Sequence, residues 1–197
     1  MNEINFKDED EKDNKRPDPI GEKLMKSRII MITDVITKKL AQTTIGQLLI
    51  LEQEDPEKEI KVFINSPGGD ADAGFAIYDM MKFIKPKIKN ICAGVAASAA
   101  VIILLGADKE SRVSLPNSRI LIHQPSTGVH GTASDIQIEA SEILKCREKI
   151  NRMISDETNR EFEKVENDTK RNYWMSAEEA VEYGLISKII KTQSDLS

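Results

Sequence analysis

Two apolar runs in this chain each lead directly into a cluster of small residues, and this pairing constrains the fold most. Residues 60–65 (IKVFIN) run into SPGG at 66–69, and residues 88–93 (IKNICA) run into GVAASAA at 94–100. Each pattern predicts a buried strand, a tight turn and then a helix. Such turns bring free backbone N–H groups and the positive end of a helix dipole to one point in space.

That geometry suits a serine nucleophile, which needs a hydroxyl on a sharp turn and nearby amides that hold a developing oxyanion. Ser98, in the second cluster, is the candidate. A run such as AASAA, taken alone, is more typical of close helix packing. The hypothesis of a serine hydrolase therefore depends on both clusters together and on the presence of a base.

The chain has only two histidines that could serve as that base, His123 and His130. His123 follows the strand-like run 118–122, so it is expected where the carboxyl end of a strand opens into a loop, the usual location of chemistry in α/β folds. A lone histidine in such a place more often makes a local hydrogen bond, but a serine nucleophile needs a base. His130 lies in a glycine-containing loop and is interpreted as a solvated residue.

Strand-like and helical patterns alternate from residue 29 onward. This order predicts an α/β fold with a mostly parallel sheet and right-handed crossovers. The expected strands are 29–32, 60–65, 88–93, 111–115, 119–123 and 185–190. The expected helices are 37–52, 73–83, one opened by Ser98, 132–157, and a short one that begins at the capping box 176–179 and ends before Gly184.

The helix expected at 132–157 is unusually long for a chain of 197 residues. About 26 residues at about 1.5 Å each extend roughly 39 Å. We expect this helix to project from the body of the protein. Its apolar positions, which recur among many charges, predict a face that packs on another subunit.

Composition favours a single folded domain at 20–197, preceded by a flexible arm at 1–19 that is rich in charge and lacks the apolar core of a signal peptide. The net charge of −5 argues against a nucleic-acid partner. The apolar stretch 91–107 is short and rich in small residues, so we interpret it as a strand plus a buried helix and expect no membrane span.

The two cysteines, Cys92 and Cys146, lie far apart and have no histidine at a metal-binding spacing. We expect free thiols in a reducing compartment, which favours a cytoplasmic location, and neither a disulfide nor a zinc site.

A set of motifs in this chain resembles the proteolytic subunit of the Clp protease. The resemblance runs from about Gly21 to Ile190 and implies a crotonase-like spiral of βαβ units with a protruding handle at about 124–157. The motifs, in order, are SPGG with AGFAIYD (73–79), AAS (96–98), ILIHQP (120–125) and MSAEEAVEYGLI (175–186).

The resemblance also implies residue roles and partners. Ser98 corresponds to the nucleophile, His123 to the general base, and the amides of Gly69 and Ala99 to the oxyanion hole. The family's subunit needs no cofactor and no metal. It assembles as two stacked heptameric rings around a chamber, into which an AAA+ unfoldase, a Clp ATPase, delivers unfolded polypeptides.

The position of the third triad member departs from the family pattern. Family members write D-T-[DE]-R-D, whereas this chain has DTKRN at 168–172, so Asn172 replaces an aspartate. In a serine protease, an Asp-to-Asn change at this position lowers turnover by about 10⁴. We therefore expect a slow peptidase when the subunit acts alone. Asp168, expected one helical turn from Asn172, and Glu166 are nearby carboxylates that could substitute.

A second departure is Lys170, which stands where the family commonly has an acid that pairs with the arginine of the opposite ring. Lys170 beside Arg171 would place like charges at the ring–ring contact and favour a partner ring of a paralogous subunit. The alternative, that Lys170 simply faces solvent, is equally open. A structural or regulatory ring subunit that modulates an active paralogue is the alternative function. A crotonase-type acyl-CoA enzyme is a more distant one.

The substrate cleft is expected to differ in charge and shape from that of the family. Extended peptides are expected to bind there by strand addition. Asp70 and Asp72 follow SPGG and make the cleft more acidic, which predicts a preference against acidic peptides. The residues expected to contact substrate are Gly68, Asp70, Gln124, Pro125 and Ser126.

Overall fold

The computed structural model describes residues 19–196, so the expected arm lies outside the described residues except for Pro19. The strands are β1 (Ile29–Ile32), β2 (Ile60–Ser66), β3 (Ile88–Ala97), β4 (Arg112–Ser114), β5 (Arg119–Ile122), β6 (Tyr173–Ser176) and β7 (Lys188–Ile189). The helices are α1 (Pro19–Lys26), α2 (Lys38–Glu54), α3 (Ala71–Phe83), α4 (Ala99–Leu104), α5 (Ala133–Thr158), α6 (Phe162–Thr169) and α7 (Ala177–Tyr183).

The strands form one mostly parallel sheet in the order β1-β2-β3-β4-β7. Strand β3 has two successive neighbours on the same side, because its first half pairs with β4 and its second half with β5. The one antiparallel pair among the described strands joins β5 to β6. The predicted α/β fold with a mostly parallel sheet is confirmed.

Helix caps explain why several elements begin where they do. The Thr37 hydroxyl accepts the Leu40 N–H and starts α2, and the Asp70 carboxylate accepts the Ala73 N–H and starts α3. Such caps satisfy donors that have no partner inside the helix. The predicted capping box at Ser176 is present, and α7 ends at Gly184 in the left-handed conformation.

The core lies between the sheet and helices α2, α3 and α4. Strand β2 alternates buried and less buried residues, and all six residues of α4 are buried. The stretch 91–107 therefore divides into the end of β3 and a buried helix, as predicted. Both cysteines are free; Cys92 is fully buried, and burial raises the pKa of its thiol to about 11.

Helix α5 has two different halves. Near its end, Ile150 and Ile154 are buried against the body, whereas Ile136, Ile138 and Leu144 keep 46%, 60% and 54% of their surface exposed. The predicted long helix is confirmed. Its exposed apolar half fits the expected subunit contact, which stays a prediction.

The sequence patterns did not predict three elements, α1, α6 and β6. Helix α6 is short and mostly polar, and β6 has only four residues, so neither produces a clear periodicity. Because α6 ends at Thr169, the expectation that Asp168 and Asn172 share a helical face is wrong. Among residues 19–196, none of the helices is both long and apolar enough to span a bilayer.

Candidate active site

Ser98 lies on a strained turn between β3 and α4. Its φ of 56° and ψ of −122° fall outside the usual regions for a residue with a side chain. The turn is held by backbone hydrogen bonds, since the Ser98 N–H donates to the Leu121 carbonyl at 3.0 Å. Strain of this kind persists where the surroundings force it, and it is characteristic of functional sites.

The SPGG loop packs directly under this turn. Gly68 has a φ of 94°, and a Cβ atom placed on it would lie 2.5 Å from the Ala97 carbonyl oxygen and 2.7 Å from the Ser98 Cβ. Only glycine fits there, because both the conformation and the space exclude a side chain. The two small-residue clusters of the sequence, 66–69 and 94–100, therefore meet at one point.

Gly69, the next residue, is held by the loop between β1 and α2. A Cβ atom on Gly69 would lie 2.3 Å from the Ile36 carbonyl oxygen, and a parallel β-bridge joins Ile36 to Gly69. Ala99 is the first residue of α4, where a backbone N–H has no acceptor within its own helix. Gly69 and Ala99 line the same cavity as Ser98.

His123 follows β5 at the point where the strand opens into a loop. Its Nδ1 lies 3.0 Å from Oδ1 of Asn172. An amide oxygen can only accept a hydrogen bond, so Nδ1 carries the proton and donates it. In the neutral ring this leaves Nε2 unprotonated and able to accept a proton.

Strand β6 brings Asn172 to His123. In the antiparallel pair Ile122 lies opposite Tyr173, so the residues just beyond them, His123 and Asn172, meet at the end of the ladder. Gln124 strengthens the junction: its N–H donates to the Thr169 carbonyl at 2.7 Å, and its side-chain amide donates to the Lys170 carbonyl at 2.9 Å.

The carboxylates proposed as substitutes for the missing aspartate are engaged elsewhere. Asp168 accepts a hydrogen bond from the Tyr183 hydroxyl at 3.0 Å and forms an ion pair with Lys164. Burial, and then the hydrogen bond to Asp168, raise the pKa of Tyr183. Glu166 lies 3.4 Å from the Arg147 guanidinium. These contacts favour Asn172 as the residue that orients His123.

A cavity of about 780 Å³ opens at Ser98 and His123. Of the residues expected to contact substrate, Asp70, Pro125 and Ser126 line it. Gly68 is instead buried under the turn of Ser98, and the Gln124 side chain is directed to the Lys170 carbonyl. All five assignments stay predictions.

Helix α5 forms one wall of this cavity, and the sequence patterns do not predict this wall. Residues between Glu139 and Ile154 line it, including Cys146 and Lys149. The Lys149 ammonium lies 3.7 Å from the centre of the Phe75 ring. The available signal in the sequence is the apolar periodicity of α5, which by itself predicts only a contact between subunits.

The residues expected at the ring–ring contact lie at the end of α6. Lys170 is exposed and donates a hydrogen bond from its ammonium to the Asn167 side chain at 2.7 Å, and Arg171 is exposed. Their role between rings stays a prediction. His130 is also exposed, as expected for a solvated loop residue.

Comparison with known proteins identifies the family to which this chain belongs. Residues 11–193 match the family model described as Clp protease. The chain belongs to the Clp protease family. As a member of this family it is a Clp-type serine peptidase, which is a hydrolase. This family membership argues against the alternative of a crotonase-type acyl-CoA enzyme.

Two relatives show how extensive the Clp likeness is. The chain is 47% identical to the ATP-dependent Clp protease proteolytic subunit 2 of Treponema denticola, over 100% of this chain and 98% of that protein. A solved structure of a ClpP1 mutant from Listeria monocytogenes, which carries an Asn-to-Asp substitution, is 42% identical with a TM-score of 0.84. That match covers 90% of this chain and 99% of the other. The similarity therefore extends over nearly the whole Clp fold.

Proposed function

We propose that this chain is a serine endopeptidase subunit of an ATP-dependent Clp protease that cleaves unfolded polypeptides through Ser98, His123 and Asn172. The observation that carries the proposal is the 3.0 Å hydrogen bond between His123 and Asn172 at the mouth of the cavity that Ser98 also lines. A nucleophile on a strained turn, a base with a free nitrogen and a residue that orients the base are the parts that acyl transfer needs.

The reaction proceeds in two halves. His123 Nε2 takes the proton from Ser98 Oγ as that oxygen attacks the peptide carbonyl carbon, and the resulting oxyanion binds the amides of Gly69 and Ala99. His123 then gives the proton to the leaving amine, which leaves an acyl group on Ser98. Water, activated by the same base, hydrolyses the ester and restores the enzyme.

Asn172 makes this chemistry slow in the isolated subunit. Its amide oxygen fixes the tautomer and the ring orientation of His123, because it accepts the Nδ1 proton. It carries no full negative charge, however, and so stabilises the imidazolium of the transition state less than a carboxylate would. Cysteine proteases with an asparagine at this position have a more acidic nucleophile and depend less on that charge.

Clp proteases form a proteolytic chamber with Clp ATPases. We propose that this chain contributes to two stacked heptameric rings in the cytoplasm and that a Clp ATPase supplies unfolded chains. Two features support this assignment: the exposed apolar half of α5, which offers a contact surface, and the two free thiols, which suit a reducing compartment.

Labelling with a fluorophosphonate tests the proposal directly, because this probe reacts only with an activated serine. The full-length chain is labelled alone and mixed with a paralogous Clp subunit, and Ser98→Ala is the matched control. Labelling of the wild-type chain alone, lost in Ser98→Ala, supports an active Ser-His-Asn site. Labelling only in the mixture means that assembly orders the site.

A chain that is not labelled under either condition would be a structural or regulatory ring subunit. One observation favours this second function: Lys170 and Arg171 place two exposed positive charges side by side, and a contact between identical rings at these residues would bring like charges together. Sedimentation of the purified chain tests the mixed-ring form. A stable, active assembly of this chain alone would exclude it.

A further inference from the structure

Ser66, the last residue of β2, has a fully buried side chain to which the reaction above assigns no role. Its hydroxyl donates a hydrogen bond to the Asp34 carbonyl at 2.6 Å and accepts one from the Gly68 N–H at 3.1 Å. A buried hydroxyl with both partners in place has one fixed orientation. Ser66 therefore ties the loop between β1 and α2 to the SPGG loop.

The same loop fixes the peptide between Gly68 and Gly69. The Ile36 N–H donates to the Gly68 carbonyl at 2.8 Å, and the Ile36 carbonyl accepts the Asp70 N–H at 2.8 Å. In a trans peptide, the C=O and the following N–H point in opposite directions. Because the Gly68 carbonyl points to Ile36, the Gly69 N–H points away from it.

Two adjacent glycines do not hold such an orientation by themselves. Gly68 and Gly69 have φ values of 94° and 151°, and glycine adopts many other conformations at little cost. The hydrogen bonds from Ser66 and from the segment Asp34–Ile36 are therefore what keeps this peptide in one orientation.

We propose that Ser66 is a positioning residue for oxyanion stabilisation, and that its hydroxyl holds the Gly68–Gly69 peptide so that the Gly69 N–H faces the reacting carbonyl. The inference rests on the proposed function, because it takes Gly69 as an oxyanion donor. Ser66 does not touch the substrate and acts only through the backbone of the loop.

Replacing Ser66 by alanine removes both hydrogen bonds and leaves the Gly68 N–H without its acceptor. Loss of a whole oxyanion donor lowers kcat by about 10²–10³. A donor that is misplaced and not deleted gives a smaller change, so we expect kcat to fall about 10- to 100-fold in Ser66→Ala. KM should stay within about twofold, because the oxyanion exists only in the transition state and its intermediate.

Ser118 provides a matched control. It is 2% exposed, and its hydroxyl also bridges a carbonyl and a glycine amide: it donates to Cys92 O at 2.9 Å and accepts from Gly94 N at 3.1 Å. Ser118→Ala therefore removes the same pair of bonds on β3 without touching the SPGG loop. A purely structural role for Ser66 predicts equal effects of the two substitutions on stability and on kcat.

The experiment measures the rate of fluorophosphonate labelling, and kcat and KM for a fluorogenic peptide, in the full-length chain. The variants are Ser66→Ala, Ser66→Thr, which keeps the hydroxyl, and Ser118→Ala, each made with Asn172 and with Asn172→Asp. We expect slow labelling and low kcat with unchanged KM in Ser66→Ala, recovery in Ser66→Thr and near-normal kcat in Ser118→Ala.

If Ser66→Ala does not fold, Ser66→Cys, whose thiol is a weaker donor and acceptor, replaces it in the same comparison. Equal kcat in the Ser66 and Ser118 variants overturns the positioning role, and so does a change confined to KM. Absence of labelling in the unmodified chain and in Asn172→Asp overturns the proposed function and this inference together. If the unmodified chain and Asn172→Asp are both labelled normally, and Ser66→Ala changes neither the labelling rate nor kcat, this inference alone is overturned.

Discussion

The two sides of the proposed active site, the nucleophile side at Ser98 and the base side at His123, are built in different ways. On the nucleophile side, Ser98 is placed by a strained backbone turn that packs on Gly68, where no side chain fits. On the base side, the pairing of β5 with β6 brings His123 and Asn172 together, and one side-chain hydrogen bond of 3.0 Å joins them near the surface. Tight backbone packing holds Ser98, whereas the orientation of the His123 ring depends on a single exposed amide, that of Asn172.

This difference teaches where activity can change without loss of the fold. Substitution of a glycine on the nucleophile side disturbs the sheet and the turn together. Asn172 is exposed, so replacing it with a charged residue alters the charge next to His123 and little else. We therefore expect substitutions on the base side to change the rate of catalysis at little cost in stability.

The largest effect is expected for Asn172→Asp. A carboxylate accepts the same Nδ1 proton and also stabilises the imidazolium, so kcat for a small peptide should rise by up to about 10⁴. Steady-state peptide hydrolysis measures the change in kcat, and the thermal unfolding midpoint measures any change in stability. An unchanged kcat, with the fold intact, would mean that another step limits turnover.

Gly68→Ala should have the largest effect on the nucleophile side. The added Cβ would lie 2.5 Å from a backbone oxygen, and φ is 94°, so fluorophosphonate labelling should fall at least about 100-fold. Stability should fall by about 2–4 kcal/mol. Gly46→Ala in α2 is the control, because its Cβ meets nothing within 4 Å and should be neutral or slightly stabilising. Similar behaviour of the two variants would contradict the tight packing of Gly68 against Ala97 and Ser98.

Asp72→Asn should have a moderate effect on peptide preference. Asp72 lines the cavity, so its removal should raise the cleavage of acidic peptides relative to basic ones about threefold. Burial first, and then the charge of Asp72, raise the pKa of the Cys146 thiol. The pKa should therefore fall in the variant, and alkylation of Cys146 by iodoacetamide at neutral pH should become faster. Equal use of acidic and basic peptides by the unmodified chain would exclude the acidic cleft.

Asp168→Asn should have the smallest effect on catalysis, with kcat changed less than about twofold, since Asp168 binds Tyr183 and not His123. Unfolding free energy should fall by about 1 kcal/mol, because the hydrogen bond from Tyr183 loses its charged acceptor. Denaturant unfolding and peptide hydrolysis separate the two effects. A large drop in kcat would instead show that Asp168 supports the base.

Local patterns in the sequence predicted the turn that carries Ser98, the candidate nucleophile, and the SPGG loop beside it. An apolar run followed by glycine, alanine and serine dictates strand, turn and helix over about ten residues. Ser98 and the SPGG loop could therefore be assigned before any tertiary contact was known. Asn172 was assigned from its place in a family motif, and the short strand β6 that positions it was not expected.

The sequence by itself determined the alternating fold and the long helix α5, and it predicted Ser98 and His123 as candidate nucleophile and base, because these predictions depend on periodicity and turns within a few residues. Only the tertiary structure decided that Asn172 meets His123 across 49 positions, that Asp168 is held by Tyr183, and that α5 forms a wall of the cavity. These features depend on strand register and on packing between distant segments. A one-residue shift of register would face each side chain of β6 the other way, and no local pattern records that choice.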